Sequence, residues 1–276
     1  MTQIINGKNI ANQIDRETTE ALSMLLVTPR LAIVLINPDE RSRLYVELKL
    51  AKASELGINV DVHDWTNEDP ASYETMMTEL ANETRVNGII VQLPAPGEFE
   101  LQKLLDLIPT SKDVDGLSSN SLDAIRTNQN SLMPATPKAI IELLLRSVDD
   151  LIGKKILVVG QGKLVGEPLA LILANKGYQV QTADSTTADL ASLCKQSDVI
   201  ISAVGKSNLI NASMIKNGAV VIDAGISEVG GKMTGDINYG GMDGIASAIA
   251  KVPGGVGPVT VSCLLQNVAI ATKNSQ

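Results

Sequence analysis

Ser42, Tyr45 and Lys49 stand three and four residues apart. At ~100° per residue on an α-helix they fall within an arc of about 60°, while Leu44, Leu48 and Ala51 turn elsewhere. One face then carries a hydroxyl, a phenol and an amine. Tyr45 can stack on a flat substrate there, and partial burial would lower the Lys49 pKa enough for proton transfer at a reacting carbon. The competing reading of the same face is simple solvation. Gln92 closes the otherwise apolar run Gly88-Ile89-Ile90-Val91-Gln92-Leu93. A buried amide must find partners, so Gln92 either satisfies loop backbone or serves a site, and the carboxyl end of a strand in an open α/β sheet favours the site. In Lys112-Asp113-Val114-Asp115-Gly116 two carboxylates lie two apart. On extended chain both face one way, whereas in a turn one caps and the other points outward.

A second kind of chemistry is suggested by Gly160-Gln161-Gly162-Lys163-Leu164-Val165-Gly166, placed where a strand should hand over to a helix. Glycines there let backbone amides and a helix N-terminus approach a pyrophosphate. The spacing exceeds G-x-G-x-x-G by one residue, so the strand context carries most of the weight. Asp184, a little over ~20 residues past Gly160, is positioned to accept hydrogen bonds from an adenosine ribose and to repel a 2′-phosphate. It is equally suited to start a turn or cap a helix entered by Ser185, Thr186 and Thr187.

The elements needed to hold these residues are visible as short β-branched runs alternating with longer amphipathic stretches, the pattern of parallel strands covered by helices on both faces. Strands are expected at 31–36 and 88–93, with helices around 45–56 and 72–83. A turn-rich passage at 109–121 precedes a helix opened by Pro137. Strands at 155–160, 178–182, 199–204 and 219–223 predict a Rossmann-type sheet of four strands. Beyond Pro253-Gly254-Gly255-Val256-Gly257-Pro258, residues 259–272 should form a terminal helix that packs back on the first domain.

Bulk properties exclude several classes. The 276 residues permit two domains, and 23 basic against 31 acidic side chains give a net charge of −8, which repels nucleic acid and anionic membrane surfaces. Cys194 and Cys263, widely spaced, and a single histidine, His63, provide neither a disulfide framework, nor a metal site, nor a Ser-His-Asp triad. The opening lacks a secretory signal and no segment has ~20 uninterrupted apolar residues, so a cytoplasmic protein is expected.

Taken in order, Ser42-x-x-Tyr45-x-x-x-Lys49, Val91-Gln92-Leu93-Pro94, Lys112-Asp113-Val114-Asp115-Gly116, Pro134-x-Thr136-Pro137, Val165-Gly166-x-Pro168, Val221-Ile222-Asp223-x-Gly225 and Pro253 to Pro258 resemble the bifunctional methylenetetrahydrofolate dehydrogenase and methenyltetrahydrofolate cyclohydrolase enzymes over nearly the whole chain. The resemblance implies that Lys49 is the key cyclohydrolase residue, oriented by Ser42 and supported by Gln92. It implies that Tyr45 stacks on folate, that Asp115 hydrogen-bonds the pterin, and that Pro253, Gly254, Gly255, Gly257 and Pro258 form a loop closing around folate and nicotinamide. The dinucleotide would be met by Gly160, Gln161, Gly162, Val165 and Gly166, by Asp184 and Ser185, by Val204 and Gly205, and by Asp223 and Gly225. Family members often carry Arg-Ser at Gln161-Gly162, Arg at Thr186 and Cys at Ala135. Losing two arginines while holding Asp184 tilts the expectation from NADP towards NAD, and Ala135 should alter packing alone.

The fold expected is therefore two-domain α/β: residues 1–122 as a folate-binding catalytic domain joined by a C-terminal helix at 258–276, and residues 123–257 as a Rossmann-type NAD(P)-binding domain. The resemblance also implies tetrahydrofolate derivatives as partners and a homodimer. Two rivals remain, a different two-domain dehydrogenase and a non-catalytic folate- or nucleotide-binding homologue.

Overall fold

A computed structural model describes residues 1–129 and 131–276. In chain order the elements are β1 (Gln3–Ile4), α1 (Gly7–Leu22), β2 (Arg30–Leu35), α2 (Glu40–Leu56), β3 (Asn59–Asp64), α3 (Tyr73–Asn82), β4 (Gly88–Val91), α4 (Leu101–Asp106), α5 (Ser119–Arg126) and α6 (Ala135–Ser147). They continue with β5 (Lys155–Val159), α7 (Gly166–Asn175), β6 (Gln179–Ala183), α8 (Leu190–Gln196), β7 (Val199–Ser202), β8 (Val220–Asp223), β9 (Ser227–Val229), β10 (Lys232–Thr234), β11 (Ala248–Ala250) and α9 (Val256–Asn274). None of these helices is long and apolar enough to cross a membrane.

The chain divides into two compact units, one of residues 13–135 with 261–276, the other of residues 1–12 with 136–260. In the first, a parallel sheet runs β3-β2-β4. One of its faces buries Val34, Val91 and Ile89 among Met77, Leu104 and Ile108. The opposite face buries Leu31, Ile33 and Ile90 against Val46 and Ala53 of α2 and Leu264, Leu265 and Val268 of α9. Both faces are covered, which is why β2 and β4 read as unbroken apolar runs.

In the second unit the parallel strands run β1-β11-β8-β7-β5-β6, and β9 with β10 forms a separate antiparallel hairpin. The four strands β8-β7-β5-β6 lie where the apolar runs place them. The flanking pair differs from expectation: Ala248–Ala250 joins β8, and Gln3–Ile4 joins Ala248–Ala250 in turn. Segments of three and two residues are too short to display a period; pairing alone makes them strands. Consequently residues 1–12, assigned from sequence to the first domain, cluster with the second unit, and Thr2 Oγ1 donates to the Ala246 carbonyl there at 2.7 Å.

Candidate functional site

Helix α2 starts at Asp39, whose carboxylate accepts the Ser42 N–H at 2.7 Å, and stops at Gly57 in the left-handed region at φ 76°. Its faces are inverted. Leu44 and Leu48 are 56% and 53% exposed, whereas Ser42 is buried and Tyr45 and Lys49 are half-buried. A solvated face would show the reverse, so the polar face is turned inward as a site requires.

The Lys49 ammonium donates to Gln92 Oε1 at 2.8 Å. Gln92, 7% exposed just beyond β4, donates through Nε2 to the Leu93 carbonyl at 2.7 Å. That second bond fixes which amide atom faces the lysine: nitrogen is committed to backbone, so oxygen meets the amine. Burial lowers the Lys49 pKa below the ordinary lysine value, and the Asp115 charge partly restores it. The Asp115 carboxyl is pushed up by burial, drawn down by Lys49 and pushed up again by Asp113. Amine and carboxyl are thus electrostatic neighbours in a desolvated setting.

The loop bearing Asp115 resolves the question its two carboxylates raised. Lys112 Nζ donates to the Ala81 and Glu83 carbonyls at 2.8 Å each, anchoring the loop. Ile89 N–H donates to the Lys112 carbonyl at 2.8 Å, laying the chain beside β4. Asp113 is buried and caps: it accepts the N–H groups of Gly116, Leu117 and Ser118 and the Ser121 hydroxyl. Val114 fills the core. Asp115 is left to face Lys49. Gly116 turns the chain at φ 69°, where a Cβ would come within 2.7 Å of Pro134. Asn267 of α9 completes the brace by donating to the Val114 and Met133 carbonyls at 2.8 and 2.7 Å. Ser42 is buried and makes no hydrogen bond to Lys49; its side chain instead meets the Asp39 carboxylate at the head of the helix. Ala135 lies wholly in the core, as a packing residue should.

In the second unit, β5 ends at Gly160, with φ 95°, and α7 begins at Gly166. A Cβ on Gly166 would lie 1.9 Å from the Gly160 carbonyl oxygen, and one on Gly160 would lie 2.6 Å from the Ala203 carbonyl oxygen. Gly162 has open space around it. Close approach therefore demands the outer two glycines, not the middle one. Val165 offers no side-chain cap to α7; Glu167 N–H donates to the Gly162 carbonyl at 3.2 Å and Pro168 has no N–H, so the Gly166 N–H is the first-turn amide left for an anion. Gln161 Nε2 folds back on the Gly160 carbonyl at 2.7 Å.

Asp184 and Ser185 are exposed at the carboxyl end of β6. One Asp184 oxygen accepts both the N–H and the hydroxyl of Thr186, at 2.8 and 2.7 Å, and these bonds hold its pKa below the usual carboxylate range. The turn role foreseen for it is real, and its charge still projects into solvent. Val204 and Gly205 follow β7, again at the carboxyl edge.

Asp223 requires a correction. It was expected to touch the dinucleotide, yet it is fully buried, its carboxylate accepting N–H groups of Gly225, Asp236 and Ile237 and the Tyr239 hydroxyl. It braces a loop. Asp236, missed from sequence, does likewise, accepting Ser202 Oγ at 2.7 Å, Val204 N–H at 2.8 Å and Lys206 N–H at 2.7 Å. It sets the backbone of the Val204–Gly205 loop. The expected closing loop is also pinned: the Gly254 carbonyl accepts Gly7 N–H at 2.9 Å and Gly255 N–H donates to the Lys251 carbonyl at 2.7 Å.

Known proteins match this chain along its length. Residues 5–115 match the family described as the tetrahydrofolate dehydrogenase/cyclohydrolase catalytic domain, and residues 134–276 its NAD(P)-binding domain. A relative from Moorella thermoacetica, named bifunctional protein FolD, is 38% identical over 98% of this chain and 99% of its own. The crystal structure of the bifunctional methylenetetrahydrofolate dehydrogenase/cyclohydrolase from Campylobacter jejuni superposes with a TM-score of 0.95 at 32% identity, covering all of both chains. The Trypanosoma brucei methylenetetrahydrofolate dehydrogenase-cyclohydrolase, complexed with NADP and an inhibitor, gives 0.92 at 32% identity over 99% of this chain and 98% of that one.

Proposed function

The chain belongs to the tetrahydrofolate dehydrogenase/cyclohydrolase family, and from that premise we propose which residues carry its two reactions. It oxidises 5,10-methylenetetrahydrofolate to the 5,10-methenyl cation with NAD(P) and hydrolyses that cation to 10-formyltetrahydrofolate. The observation that carries the assignment is the desolvated Lys49 amine held at 2.8 Å by Gln92 and faced by Asp115.

In hydrolysis, water adds to the methenyl carbon and loses one proton; the remaining hydroxyl proton passes to N5 as the C–N5 bond breaks. Lys49 is the base. A neutral amine keeps one N–H on Gln92 and offers its lone pair to the attacking water, and burial raises the neutral fraction. Tyr45, half-buried on the same helix face, stacks on the pterin, and Asp115 hydrogen-bonds it.

For oxidation, the Gly160–Gly166 turn and the uncapped start of α7 fit a pyrophosphate, the space left by the absent Cβ of Gly166 being taken up by backbone. A bound dinucleotide supplies the hydride acceptor. Gly160, Gly162, Val165 and Gly166 hold it through backbone, and Asp184 with Ser185 lies at the adenosine side. NAD is preferred: Gln161 and Thr186 bring no guanidinium, while Asp184, held ionised, repels a 2′-phosphate. Cys194 and Cys263 are buried thiols outside any disulfide, which accords with a cytoplasmic setting.

The test is an assay of purified protein with methylenetetrahydrofolate and NAD or NADP, following reduced nicotinamide and methenyl absorbance. Turnover is expected with both and is faster with NAD; none with either cofactor rejects the oxidation.

A further inference from the structure

Tyr239 lies between a buried carboxylate and the loop after β11. Its hydroxyl donates to Asp223 Oδ2 at 2.7 Å and accepts the Val252 N–H at 2.9 Å. A phenol has one proton to give, so the direction of both bonds is fixed. The phenol pKa is pushed well up by burial, which keeps that proton in place. The Lys251 ammonium sits 5.1 Å from the ring centroid. On the far side Gly7 N–H holds the Gly254 carbonyl, and a Cβ on Gly7 would strike the Gly255 oxygen at 1.9 Å. Residues 252–255 are therefore gripped between the start of α1 and one phenol.

The sheet order says what this loop faces. All its strands are parallel, so the loops after β5, β6, β7, β8 and β11 leave at one edge. A dinucleotide whose pyrophosphate met the β5 turn and whose adenosine lay towards β6 would carry its nicotinamide half the other way, over β7 and β8. The loop after β11 stands three strand spacings from β5, or ~14 Å at ~4.8 Å per strand.

Building on the dehydrogenase reading above, we infer that Tyr239 is a positioning residue for hydride transfer: its hydroxyl, held by Asp223, fixes the Val252 amide and so sets where Pro253–Gly255 stands against the nicotinamide. A ring that merely filled the core would need no hydroxyl bonded on both sides.

Tyr239→Phe keeps the ring and removes the pin. Dehydrogenase kcat should fall by roughly tenfold to a hundredfold, the size expected for reactants displaced by about 1 Å. Hydrolysis of supplied methenyltetrahydrofolate, which needs no dinucleotide, should stay within about twofold, and amide exchange across residues 251–256 should quicken. Equal losses in both activities, or an unchanged dehydrogenase kcat, overturns the inference. Lys251→Met, which strips the ammonium from the ring and leaves the hydroxyl, should behave as wild type; if it reproduces the full loss, the hydroxyl is not the determinant. Should Tyr239→Phe fail to fold, hydrogen exchange on the unaltered enzyme decides, because an unprotected Val252 amide refutes the pin. An inactive wild type would instead break the reaction assignment, with Val252 protection still scoring the pin separately.

Discussion

The two units solve the same problem in opposite ways. In the first, function is borne by side chains that reach: Lys49 extends from α2 to Gln92 beyond β4, and Asp115 faces it from a loop laid beside that strand. In the second, the proposed site is backbone with side chains behind it: Asp223 and Asp236 are fully buried and spend their oxygens on loop amides and hydroxyls. Reaching side chains can alter a proton's affinity; braced backbone can only hold a shape. The proposed roles follow that division, with acid–base chemistry in the first unit and positioning in the second.

The sharpest way to break this contrast is Lys49→Ala. Removing the base should cut methenyl hydrolysis by about 10²- to 10⁴-fold, while the half-buried position tolerates alanine without unfolding. Hydrolysis rate and thermal midpoint are the measurements. A rate near wild type would remove Lys49 from the chemistry and the contrast with it.

Gly166→Ala attacks the other unit. The new Cβ would fall 1.9 Å from the Gly160 carbonyl oxygen, and the three nearest atoms it would meet are all backbone. Dinucleotide reduction should drop by up to about 100-fold with a stability cost of roughly 1–3 kcal/mol, while hydrolysis persists. Gly162→Ala, with open space at its Cβ, is the control and should cost little. Comparable losses at 162 and 166 would mean that the turn is not shaped by close approach.

How legible this was in the sequence follows the same division. Ser42, Tyr45 and Lys49 were visible because helical spacing gathers them, and Gln92 because an amide ends an apolar run. Strands buried on both faces announced themselves equally well. Ser42 is less legible: spacing puts its hydroxyl on the right face but cannot say that the side chain meets the Asp39 carboxylate rather than Lys49. Asp223 was visible and misassigned, and Asp236 went unseen, because a brace is defined by what folds back on it. The Asp236 N–H that the Asp223 carboxylate accepts lies 13 positions further on, beyond a hairpin, and no local pattern encodes that return. The strands at Gln3 and Ala248 were illegible for the same reason.

A smaller effect sharpens the first half of the comparison. The Asp115 charge favours the Lys49 ammonium and raises its pKa, against the larger lowering by burial. Asp115→Asn removes that support, so the amine becomes neutral at lower pH. The ascending limb of the hydrolysis pH profile should move to the acid side of wild type, whose own inflection is expected below the ordinary lysine value of 10.5. A shift to the alkaline side would contradict the coupling.

The smallest effect is expected at Asp184, the one place where the proposed dinucleotide site relies on a charge. The residue is exposed, so its repulsion of a 2′-phosphate is screened within about 8 Å at physiological ionic strength. Asp184→Ser retains a short polar side chain able to support the turn at Thr186, and so isolates the charge. The ratio of kcat/KM for NAD over NADP should fall by only about three- to tenfold, near 1 kcal/mol. Because the term is electrostatic, the wild-type ratio should itself decline as salt is added, and the Asp184→Ser ratio should not. A ratio insensitive to both substitution and salt would return Asp184 to the turn alone, leaving a nucleotide half that discriminates by backbone shape.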